Sequence, residues 1–188
     1  MSKALFITNT DLKRYSVLDG SLDADKFLQY IEVAQDIHLQ RYMGTDLYNK
    51  ISADIVADTL TGDYLSLVNT YIKPMTIFWA LVEYLPFAAY QVANKGVFKH
   101  TSENSTSVDK DEIDYLVEKN RNIAQHYSQR FIDYMCYNDN LYPEYNSNTN
   151  EDMDASRLNS FNGWQISTGK TKPGEYYDNK GKIKYGKY

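Results

Sequence analysis

Gly169-Lys170-Thr171 is the stretch of this sequence most like the end of a phosphate-binding loop. That loop needs a glycine, four residues, then Gly-Lys-Ser/Thr, so that backbone N–H groups can converge on a phosphate. Here the required upstream position holds Trp164, and Gly163 lies one residue too far. Pro173-Gly174 follows where a helix N-terminus should cradle the anion. The three histidines, His38, His100 and His126, stand apart from one another and from Cys136, so zinc-ligand spacing is missing. His38 and His126 fall on helical stretches and read as packing or surface residues. Asp23-Ala-Asp25 and Asp109-Lys-Asp111-Glu112 resemble fragments of calcium loops but lack the glycine and the terminal glutamate in register. They suit helix starts better. Cys136 is the sole cysteine, so it has no intrachain disulfide partner, and no base is in view to make it a nucleophile. The expectation is no catalytic residue, no cofactor, no metal and no enzyme.

The elements that would position any site change character near residue 138. Residues 1–137 read as packed helices, and residues 138–188 read as a polar arm with aromatics set into it. Net charge is −5 over the 188 residues, which argues against a generic nucleic-acid binder. It is unevenly placed. Residues 1–137 carry −5, residues 138–169 carry −4, and residues 170–188 carry +4. Eighteen residues are tyrosine, a side chain that gives large contact area at interfaces. Only Ala4–Ile7 is apolar near the start, too short for a signal-peptide core, so a cytosolic origin is expected.

Four main helices are expected, at 23–43, 45–57, 63–95 and 109–137, after a short one at 11–15 capped by Asn9 or Thr10. In the first, Phe27, Tyr30, Ile31, Ala34, Ile37 and Arg41 share one face at i, i+3, i+4 spacing. Gly44 ends it and Thr45 caps the next, whose stripe is Leu47, Tyr48, Ile51 and Ile55. Pro74 kinks or restarts the third helix, where Met75 to Ala93 is apolar nearly all round. That run is long enough to span a membrane, but Glu83 and Pro86 interrupt it, so it reads as the buried central helix of a bundle. The last helix buries Ile113, Leu116, Val117, Ile123, Ala124, Tyr127, Phe131, Tyr134 and Met135, and Asn138-Asp139-Asn140 stops it. The fold class is therefore all-α.

In the arm, Leu, Ile, Val and Phe occur only as Leu141, Leu158, Phe161, Ile166 and Ile183. So few apolar groups cannot offset the ordering entropy of such a segment, so it must order against something else. A short β-hairpin has room either in the arm or in 97–108. The basic tip alternates Lys with Tyr and Gly, a pattern for docking on an acidic protein surface or on single strands. The arm residues expected to touch other proteins are Tyr142, Tyr145, Phe161, Trp164, Tyr176, Tyr177, Lys182, Lys184 and Tyr185.

The helices resemble a known family. Tyr30-Ile-Glu-Val-Ala-Gln-Asp-Ile-His-Leu-Gln-Arg-Tyr-Met-Gly-Thr-Asp-Leu-Tyr48 is similar to the early helical hairpin of phage head–tail connector proteins. Tyr71-Ile-Lys-Pro-Met-Thr-Ile-Phe-Trp79, running on to Gly96, resembles their central helix, and the long helix from Asp109 completes the set. The nearest likeness is to adaptor-like proteins of crAss-like phages, over roughly residues 5–145. The resemblance implies a ring of about twelve subunits closed by rotational symmetry. It would dock under the portal protein, extend the DNA channel towards further connector or tail proteins, and reach neighbours with its C-terminal arm. It implies a virion protein of the head–tail junction, made in the host cytoplasm, with at most non-specific contact to genomic DNA and no membrane. A tail terminator or tail-tube-end protein, and a host-directed binding module, are the other readings.

Overall fold

The computed structural model describes residues 4–15, 25–88, 90–93, 96–99, 110–147, 149, 152–156, 175–177 and 183–185. It is mostly helical, as expected of an all-α bundle. Helix α1 (Asn9–Tyr15) starts from a capping box, though not at the residues expected. The Thr8 hydroxyl accepts from the Asp11 N–H at 3.1 Å, and the Asp11 carboxylate accepts from the Thr8 N–H at 3.0 Å.

Helix α2 (residues 25–43) runs through a π-helical turn at Gln35–Leu39. Its buried positions Ile31, Gln35, Leu39 and Met43 step by four, wider than an α-helix repeat. The π turn inserts one residue and re-phases the helix, so Leu39 takes the core place. Ile37, expected in the core by its spacing, is turned out and 54% exposed. Gly44 then sits at φ 75°, accepts the chain reversal, and donates its N–H to the Gln40 carbonyl at 2.9 Å. Helix α3 (Thr45–Val56) follows at once and buries Leu47, Tyr48 and Ile51.

Helix α4 (Gly62–Ala88) is the central element, in contact with both α2 and α5. A second π turn, Val68–Ile72, lies just before Pro74, whose ring supplies no N–H to the preceding carbonyls. Lys73 closes the turn by donating to the Val68 carbonyl. Among the described residues α4 alone is long and apolar enough to cross a membrane. Its Met75, Ile77, Trp79, Ala80, Leu81 and Val82 are buried in the protein core. The helix stops at Ala88, two residues after Pro86, rather than at residue 95. Strand β1 (Tyr90–Ala93) instead pairs antiparallel with β2 (Gly96–Lys99).

Helix α5 (Lys110–Asn138) packs along α4 and buries Val117, Ala124, Ser128, Phe131, Ile132 and Met135. Leu116 and Ile123, expected on that face, are exposed. The core also takes Phe6, Ile7 and Leu12 from the N-terminal segment and Tyr142 and Tyr145 from beyond α5. The first compact unit therefore runs from Met1 to Arg157, past the boundary expected at residue 138. The second unit, Leu158–Tyr188, contains the antiparallel pair β3 (Glu175–Tyr177) and β4 (Ile183–Tyr185). One of the two places expected to hold a hairpin, the arm, has it. The other hairpin lies mostly ahead of 97–108.

Candidate interaction site

The α2–α3 corner is where the two ends of the first unit are tied down. From the N-terminal side, the Gln35 amide is fully buried. Its Oε1 accepts from the Phe6 N–H and its Nε2 donates to the Ala4 carbonyl, both at 2.9 Å. From the C-terminal side, Asp46 accepts from the Ser147 hydroxyl at 2.7 Å and from the Thr149 N–H and hydroxyl at 2.9 Å. Thr45 donates its N–H to the Met153 carbonyl, and its hydroxyl accepts from the Met153 N–H. Ser156 donates its N–H to the Arg41 carbonyl at 2.8 Å. Thr45 is thus a clamp for the strap that follows α5 (residues 142–156) rather than the helix cap expected, and the N-cap position belongs to Gly44. A Cβ on Gly44 would lie 2.9 Å from the Ala155 nitrogen, so the strap can approach only because that side chain is absent.

Two of the tyrosines expected to meet other proteins are part of this closure. Tyr142 is fully buried. Its hydroxyl donates to the Asp63 carbonyl at 3.2 Å and lies 3.0 Å from that of Tyr134. Its ring stands edge-on to Tyr64, whose hydroxyl donates to Glu144 at 2.6 Å. Burial, then the neighbouring Tyr134, pushes the Tyr142 phenol up, and burial with Glu144 does the same to Tyr64. Tyr145 is 3% exposed and stands edge-on to Phe131. An aromatic ring with one bonded hydroxyl can be buried at little polar cost, and Tyr142 is used that way. Neither is available to a partner.

The chemistry-bearing residues gather at the first π turn. His38 stacks on Trp79, with ring centres 3.7 Å apart and planes 10° off parallel. Its Nε2 lies 2.9 Å from Glu83 Oε1. Burial holds the imidazole below its ordinary value; Glu83 pulls the other way, and Arg121 and Arg41 add to the lowering. Trp79 donates to the Ser128 hydroxyl at 3.0 Å, and that hydroxyl donates to the Ala124 carbonyl at 2.9 Å. Ser128 is engaged on both sides, so it is not placed as a nucleophile for His38 to activate. Among the described residues no group of three or more His, Cys, Asp or Glu could hold a metal ion. The arrangement is a packed joint between α2, α4 and α5.

An open cavity lies beside the second π turn. A cavity of about 510 Å³ sits between α1, α4 and α5, lined by Asp11, Tyr15, Asn69, Lys73, Pro74, Ile77, Phe78 and Tyr127. Phe78 and Tyr127 stack with ring centres 5.5 Å apart. Lys73 reaches Asp11 at 3.5 Å on its rim. Burial raises the Asp11 carboxyl, but the Thr8 N–H and hydroxyl and Lys73 outweigh it and hold it below its ordinary value. The cavity is mostly apolar inside with an ion pair at its edge.

Residues 39–154 match a family of unknown function, DUF6712. The chain belongs to the DUF6712 family. No curated protein and no solved structure matches it. The DUF6712 match starts at the last residue of the first π turn and ends at Asp154, so it covers Arg41, Thr45 and Asp46 of the corner, α3, α4, α5 and both buried tyrosines. Residues past Arg157 lie outside it.

Of the arm residues singled out from the sequence, Tyr176 and Tyr177 lie on β3 and Lys184 and Tyr185 on β4. The pairing sets Tyr176 opposite Lys184. Phe161, Trp164 and Lys182 lie outside the described residues, as do His100, Asp23, Asp109 and the Gly169-Lys170-Thr171 stretch. Cys136 is exposed. Sequence reasoning did not find the cavity or the Gln35 and Asp46 ties. Pro74 was the one available signal for the cavity, because a proline inside a helix forces the backbone to adjust locally.

Proposed function

We propose that this chain is a structural subunit of a phage head-to-tail connector, a ring docked to the portal that extends the DNA channel. The observation that carries the reading is the division of the chain. A helical unit closes its own core by Arg157, and a separate short unit follows with a hairpin and a surplus of lysine. A rigid wedge and a reaching arm are what a ring subunit needs. The helical unit carries −9 and the second unit +4, so one copy's arm is attracted to another copy's wedge. An acidic wedge also suits a channel wall, since DNA must slide past it rather than be held. Portal, connector and tail proteins are the partners, and the virion's head–tail junction is the location.

The test is sedimentation velocity of the purified full chain, alone and with the portal protein of the same virus. A large discrete ring, or a specific complex with portal, is the expected result. A chain that stays monomeric in both mixtures overturns the reading in favour of a free binding module.

A further inference from the structure

Three large apolar side chains break the pattern that the sequence sets for them. Ile37 on α2, and Leu116 and Ile123 on α5, occupy positions whose spacing calls for the core, yet all three are exposed. The π turn accounts for Ile37; for Leu116 and Ile123 no such turn is present in α5, and where local rules fail without an internal compensation a functional surface is the reason to look for.

The two faces are complementary. On α2, exposed Val33 and Ile37 are one turn apart, and exposed Glu32 and Asp36 stand beside them. On α5, Leu116, Lys119, Ile123 and Arg130 fall on one stripe at i, i+3, i+7, i+14 spacing. Tyr127, one turn beyond Ile123, leads from that stripe into the 510 Å³ cavity. The cations on this face are held along aromatic rings, Lys119 over Tyr115 at 5.6 Å and Arg130 over Tyr71 at 5.1 Å. Glu118, the acid next to Lys119, is paired with Arg121 at 2.9 Å. With exposed Arg41 one turn beyond Ile37 and exposed Glu112 one turn before Leu116, the α2 face carries a net −1 (Glu32, Asp36, Arg41) and the α5 face a net +1 (Glu112, Lys119, Arg130), with a recess beside the latter.

We propose that the outer face of α2 in one copy seats on the α5 stripe and adjoining cavity of a second copy, with Val33 and Ile37 as the inserted side chains. The proposal rests on the assembly reading above and names the faces that would make the contact. The lengths agree. α2 extends about 27 Å and the span from Leu116 to Arg130 about 21 Å at 1.5 Å per residue. The two faces belong to different helices, and the contact is heterologous where the α2 and α5 of one copy meet two separate neighbours. Repeated contacts of that kind close into a ring when the rotation allows it. Glu32 and Asp36 meeting Lys119 and Arg130 would set the register and reject the reversed pairing of α2 on α2.

The decisive experiment is site-directed cross-linking in full-length chains carrying Cys136→Ser. One preparation bears Val33→Cys, the other Ile123→Cys, and a short bis-maleimide is added to each alone and to the mixture. Cross-linked dimers only in the mixture are expected, together with loss of the large species for Ile37→Asp with its helical spectrum intact. Opposed charge reversals, Glu32→Lys and Lys119→Glu, should each weaken self-association several-fold and restore it when combined. Cross-links within a single preparation, or none in the mixture, overturn the proposal. If the unmodified chain still sediments as a ring, the faces are wrong and the assembly reading stands. If it stays monomeric with and without portal, both fall.

Discussion

Residues 139–156 and the β3–β4 unit are built from the same polar, tyrosine-rich material, and they end in different places. The first stretch is part of the helical unit, and the second forms a unit by itself. Total hydrophobicity does not separate them. What does is whether the fold offers fixed partners. Tyr142 and Tyr145 find closed aromatic sites, Ser147 and Thr149 find the Asp46 carboxylate, and Met153 and Ser156 find main-chain partners at the α2–α3 corner. A polar strap can be ordered by a few buried rings and a row of satisfied hydrogen bonds, provided the receiving surface is already rigid.

The largest effect should come from breaking that anchorage. Tyr142→Ala removes a fully buried ring and should cost about 3–5 kcal/mol, the range for deleting a core aromatic. Urea unfolding followed by circular dichroism measures it. Deleting residues 158–188 should leave the midpoint nearly unchanged, whereas deleting 146–188, which composition alone suggests is harmless, should lower it. Equal midpoints for the two truncations would mean that residues 146–157 add nothing and that the unit ends at Tyr145.

A smaller effect separates the corner from the rings. Gly44→Ala places a Cβ 2.9 Å from the Ala155 nitrogen on a backbone at φ 75°. It should cost about 1–3 kcal/mol, the range for a residue forced into a sparsely populated conformation. Asp46→Ala leaves the Ser147 and Thr149 donors without their carboxylate and should cost about 1–3 kcal/mol. Combined, the two should fall short of additive, since both release the same strap. Hydrogen exchange at Thr149, Met153 and Ser156 should rise in both variants while α4 stays protected. Full additivity would show that Gly44 and Asp46 act on separate structures.

The helices were legible because their apolar spacing is strong and their ends are marked. Gly44 reverses the chain where a glycine was expected, and α5 stops at Asn138. The π turns were not legible. A single inserted residue changes which side chains face inward, and no residue type announces the first of them, so Ile37 is expected in the core and Leu39 is not. The candidate interface was invisible for the same reason. Leu116 and Ile123 carry the signature of buried residues, and only packing tells a core stripe from a docking stripe. Tyr142 and Tyr145 erred the other way, because an amphipathic ring in a polar stretch fits either a partner or the chain's own core.

The smallest effect is the pH response, and it sharpens the comparison because the whole His38 cluster lies within the helical unit. Burial against Trp79 lowers the His38 imidazole below its ordinary 6.5, despite Glu83. The folded chain therefore favours the neutral ring, and the unfolded chain takes up the proton first as pH falls. The contribution is complete above the unfolded value and is lost as pH drops from there through the folded one. Urea midpoints should decline across that window in the full chain and decline equally in a chain lacking residues 158–188. His38→Gln should flatten the decline. If the slope instead disappears with the truncation, the titrating group sits in the C-terminal unit.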